Sequence, residues 1–497
     1  MAFMSNIVKH KKVKHSERSI DGAVRVGQVQ IEFTDRHLTA WGGLCAVVGK
    51  FFERVRLREW VERNVPIEEK SNNSGGVFGK VLALMLTCLC GGRRFAHMAA
   101  WTHGVEAVRA AFNLDERELP RSPSAITRGL AGKFTERKSN MLRGAARELA
   151  GRLAVRGGER EETLALDSTV MTRYGLQDGA LKGYNPEKPG RASQHPMVAT
   201  LLGSRLVVNM ANRSGDAHTA NNAERFHAEA LAALPLCVKI TLTLADSGFC
   251  GEGFLAYLEK AGAAYIASSR FTPGMLAAIQ TVQGWREIGE GIEVAEGSVQ
   301  LQGWSQARRV AFVRQDTFER PHATGRQPEL LKDIEDWSHY RVGAFVTSLG
   351  GEVPAEEVWR GYCRRANIEN TVKELKGGYG WDSFNVSDFW GTEAVMVLLG
   401  MVLHNLIVTL NAEIIKTCDA PLATLATLRL KVLGTPATLG SAARRQVLRL
   451  GVKDRSMRSK ILYWLRRIGD LSLCIGYCNA VGPPGTAGLL ETKGGGV

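Results

Sequence analysis

Three acidic residues and one helix face carry the chemistry this chain can do. The segment 362–376 reads Tyr-Cys-Arg-Arg-Ala-Asn-Ile-Glu-Asn-Thr-Val-Lys-Glu-Leu-Lys, and its polar residues Tyr362, Arg365, Glu369 and Lys376 are spaced by three, four and seven. At about 100° per residue these four fall within roughly 60° of one another on an α-helix. One face would present a hydroxyl, a guanidinium, a carboxylate and an ammonium, a set suited to holding a phosphate backbone beside a metal ion. The same spacings also make ordinary surface pairs, so the segment taken alone leaves both readings open.

Two aspartates favour the first. Asp167 lies in the strand-like run 163–170 and Asp246 ends the alternating run 239–246. Neighbouring strands are about 4.8 Å apart, so aspartates at adjacent strand ends can share metal ions, and a carboxylate from a packed helix can complete the set. Two hard divalent cations about 4 Å apart activate water and stabilise a leaving oxygen in phosphodiester cleavage. A lone Asp at a strand end is more often a turn residue or a cap; the joint placement of Asp167, Asp246 and Glu369 is the specific signal. Other charged residues fit less well. Glu374 lies about 120° from Tyr362 around the helix, Asp178 and Asp216 flank glycines in loops, and His195 before Pro196 reads as structural or as a site neighbour.

The elements that must position these residues are legible in outline. Residues 1–30 form a basic, flexible tail, and 31–150 read as a helical DNA-binding region. Residues 155–270 give three strands, a helix (221–234), a strand (239–246), a helix (251–261) and a short strand (263–267), the order of a mixed sheet with covering helices. A β-rich insert occupies 271–350, with strand-like runs at 292–294, 299–304, 309–313 and 342–346. The core resumes over 351–412 with one motif helix (356–376) and an apolar helix (394–410) whose His404 and Asn405 suit a buried core helix better than a membrane span. A basic helical region (413–481) and a Gly- and Pro-rich flexible tail (482–497) close the chain.

The chain has 497 residues, enough for about three domains, and 44% hydrophobic residues, enough for a substantial core. Its net charge of +14 favours a polyanionic partner. Between Arg429 and Arg467 eleven Lys or Arg face only Asp454, and Lys9, Lys11, Lys12 and Lys14 form a second cluster. Nine cysteines without CxxC spacing read as reduced thiols, and no signal peptide or membrane span is visible, so a cytoplasmic, nucleoid-associated protein is expected.

The arrangement resembles the RNase H-like catalytic domain of DDE transposases. The motif helix is similar to the Tyr-(2)-Arg-(3)-Glu-(6)-Lys pattern of the insertion-sequence 4 superfamily group. Gly183-Tyr-Asn-Pro186, Ser193-Gln-His-Pro196, Asn212-Arg-Ser-Gly215, Ala245-Asp-Ser-Gly-Phe249 and Gly303-Trp-Ser305 before Arg308-Arg309 look most like the insertion-sequence 1380 family. The resemblance implies an α/β fold: an RNase H-like mixed sheet with flanking helices, interrupted by a β-rich insert, with helical N- and C-terminal regions. It implies a cut-and-paste transposase that cleaves at terminal inverted repeats and joins the 3′-OH to target DNA. Asp167, Asp246 and Glu369 would bind Mg²⁺ (two ions, Mn²⁺ able to substitute). Tyr362, Arg365 and Lys376 would contact DNA, as would Arg308 and Arg309. Trp304 would stack on a flipped base or else pack the insert's core. Ala366 stands where a relative has an aromatic, which leaves the hairpin route open. Double-stranded DNA is the expected partner, with a homodimer in the synaptic complex. A nuclease that only hydrolyses and a domesticated DNA-binding protein share many of these features and remain the alternatives.

Overall fold

Arg160–Ser168 is the axis of the molecule. Its residues Thr163–Asp167 are buried on both faces, so the strand is a nearly continuous apolar run rather than an alternating one. The computed structural model describes residues 36–476 apart from 70–74, 218–220, 324, 329–330, 332–336 and 418–419, together with two short strands at Arg25–Val26 and Val29–Gln30. The expected tails at 1–30 and 482–497 lie almost wholly outside the described residues.

Nine strands form one sheet. We label them β1 (Arg160–Ser168), β2 (Met197–Leu201), β3 (Val207–Ala211), β4 (Val238–Ala245), β5 (Tyr265–Ser268), β6 (Arg286–Gly289), β7 (Ile292–Val299), β8 (Arg308–Asp316) and β9 (Tyr340–Thr347). Their order is β6-β7-β8-β9-β5-β4-β1-β2-β3. Strands β1, β2 and β3 are antiparallel neighbours, whereas β4 runs parallel to β1 and β5 parallel to β4. The parallel pair is joined through a helix, α2 (Glu252–Lys260), and β3 reaches β4 through α1 (Ala223–Ala232), as parallel crossovers require.

The strands of 286–347 differ from the expected insert in one respect. They do not form a body of their own: β9 pairs with β5, and β8, β7 and β6 prolong the same sheet outward. The run expected as a strand at 299–304 ends at Val299, where a loop carries Gly303 at φ 87°.

The sheet is closed by helices. Phe389–Ile415 is long and apolar enough to cross a membrane by length and composition, and its most apolar stretch is wholly buried inside the fold. Each such leucine contributes about 1.5–3 kcal/mol on leaving water. Its polar residues have assigned partners. Asn405 donates to Val207 O and accepts from Val207 N, both at 2.8 Å, which occupies the free edge of β3. Glu393 accepts from Ser139 Oγ and Asn212 N, each at 2.7 Å, tying the N-terminal helix Glu136–Ala154 to the end of β3. Residues 44–154 are otherwise helices and their connections packed around Gly76–Leu89, whose residues from Val77 onward are almost all buried.

Two helical expectations need correction. The motif segment is not one helix but two, α3 (Ala355–Cys363) and α4 (Ala366–Gly377), joined at Arg364-Arg365. Arg365 N bonds to Tyr362 O at 2.8 Å and Ile368 N to Arg365 O at 2.9 Å, so three-residue turns tighten the backbone there and shift the two halves around the axis. The region 413–481 is not all helical either. Ala437–Ala442 and Arg445–Leu450 form a hairpin, to which His37–Thr39 adds a third strand, before the helix α5 (Arg455–Asp470).

Candidate active site

Strand register sets the site. Ala245 of β4 pairs with Leu166 of β1 in parallel, so the next residues, Asp246 and Asp167, stand side by side at the strand ends. Strand spacing alone then holds their backbones about 4.8 Å apart. Asp246 Oδ1 accepts from Gly248 N at 2.8 Å, an Asx turn that ends the strand. Helix α4 packs against β1 and brings Glu369 to the same end.

The joint at Arg364-Arg365 has a direct consequence: Arg365 points inward and meets all three carboxylates. Its Nη2 lies 2.6 Å from Asp167 Oδ1 and 3.8 Å from Asp246 Oδ2, and its Nη1 lies 3.1 Å from Glu369 Oε1. Arg365 and Asp167 are buried, with 7% and 8% of their surface exposed. One guanidinium thus serves three carboxylates, of which Asp167 is buried, Asp246 partly buried and Glu369 exposed at the mouth of the site. Burial pushes the Asp167 carboxyl up to about 6, with Arg365 pulling the other way. Burial also opposes the Arg365 charge, but Asp167, Tyr362, Asp246 and Glu369 outweigh it and hold the guanidinium above its ordinary value.

The other motif residues are near but differently engaged. Lys376 Nζ donates to Val170 O at 2.9 Å, just beyond the Asp167 strand end. Tyr362 lays its ring on Phe345 of β9, 4.6 Å between centroids, and burial raises its hydroxyl pKa. Glu374 accepts from Leu425 N at 2.7 Å, a structural role away from the carboxylates.

Arg308 and Arg309 do not have the DNA-facing placement that the resemblance implied, and Trp304 takes the second of its two expected roles, packing in the core. Trp304 is buried, with the Arg308 guanidinium 5.0 Å above its ring. Arg308 is itself buried and bonds Glu252 and Glu259 of α2, each at 2.6 Å. Arg309 donates to Leu349 O, Gly350 O and Val353 O at 3.1, 2.8 and 2.6 Å and pairs with Glu296. All three clamp the outer strands to their neighbours.

Two features were missed by sequence reasoning. Arg213, inside the Asn212-Arg-Ser-Gly215 motif, is buried and donates to His195 O at 2.9 Å and Ser168 Oγ at 3.1 Å, which fixes the chain beside Asp167. Burial lowers its pKa to about 10, with Asp246 opposing. Burial, and then Arg213, also keep His195 below its ordinary value, and His195 Nδ1 has no partner among the described residues. The second feature is the excursion between β1 and β2, anchored by Arg173, which bonds Gln194, Asp382 O and Asn385. It exposes Tyr174, Leu176 and Tyr184 near the carboxylate end of the sheet. The motif Gly183-Tyr-Asn-Pro186 lies in it, but nothing in that motif signals the anchoring by Arg173.

For a divalent cation the donor chemistry fits: three carboxylates, all hard oxygen ligands, at one strand end. The present arrangement is set by Arg365 instead. Among the described residues no three His, Cys, Asp or Glu are gathered closely enough to hold a metal as they stand.

The profile of the family described as transposase DDE domain, group 1, matches residues 22–469. No curated protein matches the sequence. Among solved structures, a piggyBac transposase synaptic complex with hairpin DNA, determined by cryo-EM, is similar over 85% of this chain and 84% of that chain, with 8% identity and a TM-score of 0.36, a likeness too remote to support a conclusion. The family match spans nearly the whole chain, and on it this protein belongs to the group 1 DDE transposases and is a DNA-transposing enzyme.

Proposed function

We propose that the chain is the cut-and-paste transposase of an insertion sequence, with an RNase H-like core, in the insertion-sequence 4 superfamily group and nearest the insertion-sequence 1380 family. The observation that carries the site assignment is the meeting of Asp167, Asp246 and Glu369, from three separate elements, on Arg365. The core reading is supported by the order β3-β2-β1-β4-β5, three antiparallel strands followed by two parallel ones, with both aspartates at the central strand ends.

DDE transposases generally depend on a divalent metal. Asp167, Asp246 and Glu369 would hold Mg²⁺, as two ions for which Mn²⁺ can substitute, and this group would supply water activation and stabilisation of the leaving oxygen in both phosphoryl transfers. The protein's own residues do the rest. Arg365, released from the carboxylates, offers a planar fork that matches a phosphate bidentately. Lys376 stays at the strand end as a point charge for the neighbouring phosphate. Tyr362 is fixed by Phe345 with its hydroxyl toward the same pocket. Arg213 and Ser168 hold the backbone that presents Asp167. Two transposon ends must be held at once, so the working form on DNA is at least a homodimer, acting on the nucleoid.

The test uses duplex DNA carrying the element's terminal inverted repeats, a target plasmid and Mg²⁺ or Mn²⁺. Wild type cleaves the ends and joins them to target. Asp167→Ala, Asp246→Ala and Glu369→Ala each abolish both steps while retaining end binding. Cleavage with no joined product would instead identify a nuclease, and activity retained in any of the three variants would overturn the triad.

A further inference from the structure

The hairpin Ala437–Ala442/Arg445–Leu450 turns through only Ala443 and Arg444, and both adopt left-handed backbone, φ 48° and 63°. A two-residue turn with positive φ at both positions is the natural place for Asn-Gly, which adopts it without strain. Side chains other than Gly, Asn or Asp in that region cost about 1 kcal/mol or more each, and such strain persists where the side chain is needed. Here strained backbone holds an arginine at the extreme tip of a β-ribbon.

The two faces of the ribbon differ. Leu439, Leu448 and Leu450 pack against the hydrophobic core. The other face alternates Arg445, Val447 and Arg449 on one strand, opposite Ala442, Gly440 and Thr438 on its partner. These partners are small. A Cβ at Gly440 would stand 2.7 Å from Arg449 Nη1, so that guanidinium lies over the backbone of the partner strand at Gly440. Arg444, Arg445 and Arg449 are exposed and have no hydrogen-bond or ion-pair partner among the described residues. The ribbon leads directly into α5, where Arg455, Arg458, Lys460, Arg466 and Arg467 are also exposed. Glycine within a strand is one mark of a place where a ligand or another backbone approaches closely.

We propose that this ribbon is a DNA-docking element separate from the carboxylate site, with Arg444 at its tip entering a groove and Arg445 and Arg449 lying on the flanking phosphates. The occupant is double-stranded DNA: unpaired cations on a small-residue surface complement a phosphate backbone, and a two-stranded ribbon fits a groove. The inference rests on the transposase reading for its partner and adds to it the surface that grips the duplex.

The test is fluorescence anisotropy of the full-length protein with a labelled random-sequence duplex over a salt series. Arg444→Gln/Arg445→Gln is expected to weaken binding about 10- to 100-fold and to reduce the slope of log K against log salt by about 2. Arg286→Gln/Arg320→Gln removes the same charge from arginines that face Glu356 and Glu290, and should leave the slope unchanged. Ala443→Asn/Arg444→Gly relieves the turn, so it should melt higher than wild type yet bind DNA less well. Equal effects of the two double Gln variants, or full binding by the relieved turn, would overturn the ribbon proposal while end cleavage by wild type kept the transposase reading intact. A wild-type protein without salt-dependent duplex binding would overturn both.

Discussion

Arg365 and Arg444 carry the same guanidinium in opposite circumstances. Arg365 is buried among three carboxylates that it neutralises only in part. Arg444 stands at the tip of a ribbon with no partner among the described residues. Arg308 is a third case, buried and paired with two glutamates. The difference teaches how a basic chain divides its charge. Paired arginines join elements to one another, unpaired ones are left for an external anion, and Arg365 is outnumbered by its carboxylates. Net charge alone separates none of these.

The contrast can be broken most forcefully at Arg365. Removing one partner of a buried ion pair leaves its charges uncompensated, at a cost of about 3–5 kcal/mol. Arg365→Gln should therefore melt well below wild type in chelator, and Mg²⁺ should restore much of the loss by binding the freed carboxylates. A variant insensitive to Mg²⁺ in a thermal melt would argue against a cation site. Arg308→Gln should cost about 3 kcal/mol by the same reasoning, but with no recovery in Mg²⁺ and an unchanged salt slope of DNA binding. A loss of DNA affinity at unchanged stability would return Arg308 to the DNA surface.

A smaller effect tests the burial of Asp167. Its folded pKa of about 6 lies above the ordinary 3.8, so the folded state binds the proton more tightly than the unfolded chain. That contribution is fully present below about pH 4 and is lost as pH rises through 6; at 1.36 kcal/mol per unit it is at most about 3 kcal/mol. In chelator, urea unfolding of wild type should show this loss, and Asp167→Asn should flatten it. The smallest effect is at the turn, where Ala443→Asn/Arg444→Gly should gain about 1 kcal/mol in the same unfolding measurement. A loss of stability there would mean the turn is not strained.

Much of the core could be read in the sequence because its signals are local. The alternating run ending at Asp246, the apolar run through Asp167 and the helix around Glu369 each carry their own periodicity, and the first two fell on strands within one to three residues of their limits. What escaped depended on distant partners. The turn at Ala443-Arg444 has no turn signature, because neither residue favours positive φ; pairing along the hairpin imposes it. The joint at Arg364-Arg365 looks like uninterrupted helix by composition, and the partners that Arg365 meets there come from strand ends far away in sequence. Arg308 and Arg309 looked like a basic pair free for DNA because the glutamates that hold them lie 56 and 49 positions away for Arg308 and 13 for Arg309. Arg213 was in view within a motif, but its bond to Ser168 crosses from one strand end to another.

The central claim, that Asp167, Asp246 and Glu369 form one cation site with Arg365 held against it, is tested most directly by titrating Mn²⁺ into the DNA-free protein and following the free ion by electron paramagnetic resonance. Wild type should bind Mn²⁺, Arg365→Gln should bind it more tightly, and Asp167→Asn, Asp246→Asn and Glu369→Gln should each weaken it at least about tenfold, which is about 1.4 kcal/mol. Mn²⁺ binding that is indifferent to any one of these three carboxylates, or weaker in Arg365→Gln, would contradict the account.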